Sequence, residues 1–365
     1  MTLLKKFLFA GLCLQLTAVA HAATPPVSKP ASAKPAAGAA PLSDAERYAR
    51  RCKPRAPLRE HGSQGTMLWG IRRDWDTEKV AEERTSVLVS VALSPVRPAE
   101  GEVKAVQLQG GQLVATPASK PMAGVVLQGT ASDGKPVEVA ICSAEPSPDD
   151  PEMTWYRIEA WNSVAQDWEN PCVAVDRVPQ PRALAVPGVW DATGARKDIP
   201  GRFTFACENG ALTKCIRWGY KPWASRGGKS LTDLHQACTR MARADYCGDG
   251  RSHTHEDTTI DMYDQLGLIA PSTEASAEWD PARGSLEAAW GPDGAICLSH
   301  TRDGRAVETV LQECPTRFRT GAAVDLGQGD RCSIQRVDAN PKTALLRNRS
   351  YGLKPGAVTP AAAKR

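Results

Sequence analysis

The cysteines constrain this chain more than any other feature. There are eleven in 365 residues, and their fate depends on the compartment in which the chain folds. The first residues speak to that. Lys5 and Lys6 precede an apolar run from Phe7 to Ala20, and Ala20-His21-Ala22 puts small residues at the two positions that signal peptidase reads. A charged start, a short apolar stretch and an A-x-A site predict a cleaved secretory signal over 1–22. The run is shorter than the ~20 residues of a spanning helix, which argues against an anchor. Cleavage would remove Cys13 and leave Cys52, Cys142, Cys172, Cys207, Cys215, Cys238, Cys247, Cys297, Cys314 and Cys332. An even set in an exported chain predicts a disulfide framework and a periplasmic or secreted location. Ten cysteines allow on the order of 945 pairings, so counting leaves the connectivity open.

The formal charge of +4 includes Lys5 and Lys6, so their removal leaves +2. A nearly neutral chain lacks the electrostatic footprint of a nucleic-acid binder. Nothing after the signal is apolar enough to span a bilayer, so no transmembrane segment is expected in the mature chain.

Residues 23–42 are almost all Ala, Pro, Ser, Lys and Gly. They carry too little apolar surface to fold and are expected to be a disordered tether, as is the tail over 348–365. The fold class expected between them is α+β. A β-rich half over 43–180, sandwich or barrel-like, is followed by a mixed helix/strand, disulfide-stapled domain over 181–347. A short helix is expected from Ser43 to Cys52. Strands are expected in Thr85–Leu93, Val103–Gln109, Gly124–Leu127, Val137–Cys142 and Trp155–Trp161, with a turn at Asp133-Gly134. In the second half, Asn209 is positioned to cap a helix that ends at Gly219. A second helix is expected from Ser230, with Leu231, Leu234, His235, Cys238, Met241 and Ala242 on its buried face. Others are expected over Thr258–Leu266 and from Val307 to Pro315. Cys215 and Cys238 both lie on apolar helix faces, which favours Cys215–Cys238, with Cys207–Cys247 as the companion bond.

The most distinctive string is His235-Gln-Ala-Cys-Thr-Arg-Met-Ala-Arg-Ala-Asp-Tyr-Cys-Gly-Asp-Gly-Arg-Ser-His-Thr254. With Lys214-Cys-Ile-Arg-Trp-Gly-Tyr-Lys-Pro-Trp223, Trp190–Arg196, Ile260–Asp264 and Gly294–Leu298, it resembles the bacterial ADYC-domain family, named for Ala244-Asp245-Tyr246-Cys247. The resemblance runs from about Val186 to Phe318 and implies no catalytic residue.

The candidate pocket residues are therefore chosen on chemistry: His235, Asp245, Asp249, His253, His255, Glu256 and Asp257. Asp245 to Glu256 has calcium-loop features, with Gly250 at position six and Glu256 at twelve. Cys247 at position three, Ser252 at eight and the crowding Arg251 disagree with that reading. Zinc could draw on His235, Cys238, Cys247, His253 and His255, but oxidation would remove both thiolates. No metal and no cofactor is expected, and the loop is expected to be a turn capped by Asp245, whose loss would cost about 0.5–2 kcal/mol. There is no G-x-S-x-G or H-E-x-x-H motif. Trp155, Trp161, Trp168, Trp218, Trp223, Trp279 and Trp290 could stack on sugar rings or fill cores. The expected function is a non-enzymatic binding or structural protein of the cell envelope or secreted fraction, with an envelope glycan or another exported protein as partner. The alternative is an extracytoplasmic hydrolase of glycan or peptide, with acids among Asp245, Asp249, Glu256 and Asp257.

Overall fold

The computed structural model describes residues 42–56, 66–71, 87–97, 103–255 and 258–352. The expected signal, nearly all of the tether and most of the tail lie outside these residues, as do Glu256 and Asp257.

The chain opens with α1 (Asp44–Ala49). The Glu46 amide donates to Ser43 Oγ and the Ser43 amide to Glu46 Oε2, which closes a capping box. Strands follow: β1 (Leu88–Arg97), β2 (Ala105–Gln109), β3 (Gln112–Thr116), β4 (Val126–Ala131), β5 (Pro136–Pro146), β6 (Thr154–Asn162), β7 (Asp167–Glu169) and β8 (Ala183–Pro187). A short ribbon, β9 (Val189–Trp190) with β10 (Arg196–Lys197), leads into β11 (Arg202–Cys207). Six of these strands form an antiparallel ring in the order β5-β4-β1-β11-β8-β6, closed by β6 on β5. The β-rich half is thus a closed barrel, which leaves no unpaired edge within the ring. Phe203 and Phe205 of β11 lie in its core, edge to face at 4.8 Å. Thr204 between them donates its hydroxyl hydrogen to a strand carbonyl, with Val89 O at 3.0 Å and Gly188 O at 2.9 Å. Because β8 and β11 belong to the ring, the barrel extends past the expected boundary at 180/181.

The second half holds α2 (Ala211–Arg217), the ribbon β12 (Ser225–Arg226) with β13 (Lys229–Ser230), and α3 (Thr232–Arg243). Then come β14 (Asp261–Asp264), β15 (Ser285–Gly291), β16 (Gly294–Leu298), α4 (Val307–Glu313), β17 (Phe318–Gly327), β18 (Asp330–Arg336) and β19 (Leu346–Ser350). These last six strands make an antiparallel sheet in the order β14-β19-β15-β16-β18-β17. β19 carries the ordered chain past the expected start of the tail at 348. α3 meets Trp190 of β9 on one side and β15, β16 and β19 on the other. Every residue from Leu234 to Arg243 is buried as a result, where a single apolar face was expected.

Two expected helix details are corrected. Gly210, not Asn209, is the N-cap of α2, because the Asn209 side-chain amide donates to the Val173 carbonyl at 3.0 Å instead. The expected helix over Thr258–Leu266 is strand β14. Its four residues pair with β19, and Asp261 and Tyr263 are buried in alternation with Met262 and Asp264. Asp264 then accepts the amides of Leu266, Leu268 and Ile269, which turns the chain where a helix would have continued.

Five disulfides staple the molecule, with Cα separations from 5.1 to 5.9 Å: Cys52–Cys142, Cys172–Cys207, Cys215–Cys238, Cys247–Cys314 and Cys297–Cys332. Cys215–Cys238 ties α2 to α3 as expected. The expected Cys207–Cys247 bond is overturned. Cys207 ends a barrel strand and pairs within that layer, whereas Cys247 lies beyond α3 against the Val310 turn of α4.

Candidate functional site

The Ala244–Cys247 string terminates α3 and ties it down. Ala244 adopts φ +51°, and the Asp245 amide donates to Arg240 O while the Ala244 amide donates to Met241 O, both at 2.9 Å. These are the paired bonds of a Schellman stop. The Asp245 carboxylate is fully buried. It receives Arg240 Nη1 at 2.6 Å and the amides of Gly248, Asp249 and Gly250 at 2.9, 3.1 and 3.0 Å. Tyr246 stacks on Trp290 at 5.4 Å and donates its hydroxyl to Glu287 at 3.1 Å. Burial first, and then the Glu287 charge, push its pKa well up, so it stays a neutral phenol. Glu287 also receives Arg302 and Asn348, forming a buried network. Cys247 closes the loop onto α4. Gly248 follows at φ +71°, where a Cβ would stand 1.8 Å from the Asp293 carbonyl oxygen of the β15–β16 turn. Each residue of the string therefore has an internal partner or a packing role.

Among the described residues expected in the pocket, His253 lies against the string, its ring 5.5 Å from that of Tyr246, and the Asp249 amide bonds to Asp245, whereas His235 faces Trp190 and His255 the cleft described below. His235 is buried against Trp190, 5.8 Å between ring centroids, and its Nε2 lies 3.1 Å from the Leu212 carbonyl. Burial, with the Arg196 charge adding to it, lowers its pKa to about 4. The neutral ring donates Nε2–H to Leu212. His253 is buried on the far side of the loop, between Ala244 O and Glu313 Oε2. Asp249 is part-exposed and pairs with Arg251. His255 is exposed and reaches the cleft described below. Among the described residues, Cys52, Cys142 and Glu159 are one cluster close enough to share an ion. The two sulfurs are bonded to each other and Glu159 accepts the Cys52 amide at 2.6 Å, so no thiolate is available there.

The tryptophans fall mostly into cores. Trp155, Trp168, Trp279 and Trp290 are buried. Trp218 lines a cleft of about 460 Å³ beside the ends of α2 and α3, together with Thr66, Arg177, Lys214, Arg217, Thr254 and Arg302. Lys214 Nζ donates to Thr66 Oγ1 at 2.8 Å. At the floor, Arg302 is held by Glu287 and by the carbonyls of Met241 and Ala242. Burial opposes its charge most strongly, but Glu287, Tyr246 and Asp303 together outweigh burial and raise its pKa. Among the described lining residues there are four cationic side chains and no carboxylate. No local pattern encodes the cleft, because it is assembled from segments as far apart in sequence as Thr66, Arg177, Trp218, Thr254 and Arg302. Lys214, Arg217 and Trp218, within about one helical turn of each other, are its one local mark in the sequence.

The family model described as ADYC domain matches residues 119–304, a span that begins inside the barrel and ends just after the buried Glu287–Arg302 network. No curated protein and no solved structure matches the chain. The match covers just over half of the sequence, and the chain belongs to the ADYC-domain family.

Proposed function

We propose that this is an exported protein that binds rather than catalyses, with the ADYC segment as its internal frame. The observation that carries this reading is the engagement of the segment's reactive groups. Asp245 is consumed by Arg240 and three amides, Tyr246 by Glu287, Cys247 by a disulfide and His253 by Glu313. A general acid or nucleophile needs an open face and a reachable proton, and these groups have neither. Export is supported by five disulfides, which form and persist outside a reducing cytoplasm. It is further supported by the signal-like sequence over 1–22. Among the described residues, no helix is long and apolar enough to cross a membrane.

The test has two arms. Cell fractionation should recover the protein outside the cytoplasm, beginning at Ala23. Incubation of the oxidised protein with envelope glycans and peptides should release no fragments by mass spectrometry. Turnover that disappears on Asp249→Asn would replace the binding reading with a hydrolase.

A further inference from the structure

We propose that Cys52–Cys142 is a site of thiol–disulfide exchange: an external dithiol opens it while the other four disulfides stay closed, and opening releases α1 from the barrel wall. This goes beyond the binding reading above and does not depend on it.

Three observations single out this pair. The first is access. Cys52 and Cys142 are both half-buried, whereas all eight cysteines of the other disulfides are buried. Exchange begins when a thiolate reaches a disulfide sulfur, so a covered pair reacts only after the fold around it opens. The second is backbone strain. Cys52 adopts φ +58°, in the left-handed region that a residue with a Cβ disfavours, and no other cysteine among the described residues does so. The disulfide and the amide bond to Glu159 Oε2, at 2.6 Å, hold Cys52 there. Opening the disulfide removes one of those two constraints, which favours the open form.

The third is what the bond holds in place. Among the described residues it is the one disulfide between residues 42–56 and the barrel. α1 has six residues, too few to persist as a helix on its own. It lies on the outer wall, where Tyr48 shares an apolar cluster with Val126, Ala140 and Trp168. Arg47 and Tyr48 reach Glu138, Trp168 Nε1 donates to Arg47 O at 2.8 Å, and Arg55 pairs with Glu159 and Asp167. Part-exposed ion pairs contribute little and do not offset the entropy of ordering the segment. Once the cross-link is gone, α1 leaves and uncovers Val126, Ala140 and Trp168.

The exchange balances as follows. One thiolate of the dithiol attacks a sulfur of the pair, and the other cysteine departs as a thiolate and takes up a proton. The second thiolate of the reductant then attacks its own sulfur in the mixed disulfide, closes the reductant's disulfide and expels the remaining cysteine, which is also protonated. Two electrons and two protons pass to Cys52 and Cys142. A monothiol lacks that second step. The departed cysteine stays beside the mixed disulfide and attacks it in turn, which restores the closed pair.

The test treats the oxidised full chain with dithiothreitol in native buffer, traps thiols with iodoacetamide at timed intervals and maps them by peptide mass spectrometry. Cys52 and Cys142 should be labelled together, at least about tenfold faster than any other pair. Brief trypsin treatment of that alkylated protein should cut after Arg47, Arg50 or Arg51, bonds that resist in the oxidised protein. A Cys52→Ser/Cys142→Ser variant should be cut at the same bonds without reductant, which separates release of α1 from the bulk of the alkyl groups. Reduced glutathione at equal thiol concentration should leave the pair mostly closed. Earlier labelling of another pair, labelling of all five together, or α1 that resists trypsin in both the alkylated protein and the serine variant overturns the inference. Opening by glutathione as complete as by dithiothreitol overturns the assignment of a dithiol.

Discussion

Replacing Asp245 with alanine removes the carboxylate around which the loop after α3 is built. From sequence, this was a capping loss of about 0.5–2 kcal/mol. The structure raises that figure. Asp245 and Arg240 are both buried, with side-chain exposures of 1% and 3%, and Arg240 Nη1 sits 2.6 Å from Oδ2. Removing one member of a buried pair leaves the other charge uncompensated, at about 3–5 kcal/mol. Three amides also lose their acceptor, each worth about 1–3 kcal/mol if it stays dry. These costs do not add in full, because the loop can admit water once its anchor is gone. Arg240 keeps the Pro292 and Thr193 carbonyls, which softens the first term. The expected loss is about 3–5 kcal/mol, read by guanidinium denaturation without reductant. Native protein should melt identically with and without excess EDTA, since the loop holds itself by hydrogen bonds. A loss under about 1 kcal/mol for Asp245→Ala, or a melting point that falls with EDTA and recovers with calcium or zinc, would refute the reasoning.

Further outcomes follow from the same geometry. His235 has a folded pKa of about 4 against an ordinary 6.5, so between those values the unfolded chain binds more protons; stability should fall as pH drops from 6.5 to 4, by on the order of 3 kcal/mol from this group, and His235→Leu should flatten part of that slope in denaturation curves taken across the window. His300, also lowered by burial, contributes with the same sign. Gly248→Ala should cost about 3 kcal/mol or more by thermal melt, because it combines a left-handed φ with a clash against backbone at Asp293; a near-neutral result would mean the two turns can separate freely. Cys52 and Cys142 are 90 residues apart, so the double serine variant should lose about 4–5 kcal/mol, more than the roughly 3 of opening Cys215–Cys238. Non-reducing peptide maps should link Cys172 to Cys207 and Cys247 to Cys314, and a Cys207–Cys247 peptide would contradict the fold.

What the sequence settled alone was local or compositional. An even set of cysteines implied a framework of bonds, and all ten are paired. β-branched runs bounded by turns placed β1, β2, β4, β5 and β6, and Pro315 placed the end of α4, because those signals act within a few residues. The adjacency of Cys215 and Cys238 was legible because each lay on an apolar face of its own helix. The hairpin from β15 to β16 also had a local sign, Asp293-Gly294, that went unread. Tertiary structure decided the rest. Met262 and Tyr263 became strand because β19 offered partners in Asn348 and Arg347, and a backbone pairing with so distant a segment outweighs a weak helical preference. The barrel closed instead of forming a sandwich because β8 and β11, from beyond residue 180, completed the ring. The ADYC string read as a pocket because it gathers acids, a histidine and a thiol. Asp245 finds its partners within five residues, but Tyr246, His253 and Cys247 turn inward to Glu287, Glu313 and Cys314, which are distant in sequence, and no local pattern encodes those meetings. The cleft at Trp218 arises for the same reason: its charges come from separate segments that share a wall only after α2 and α3 are bonded together.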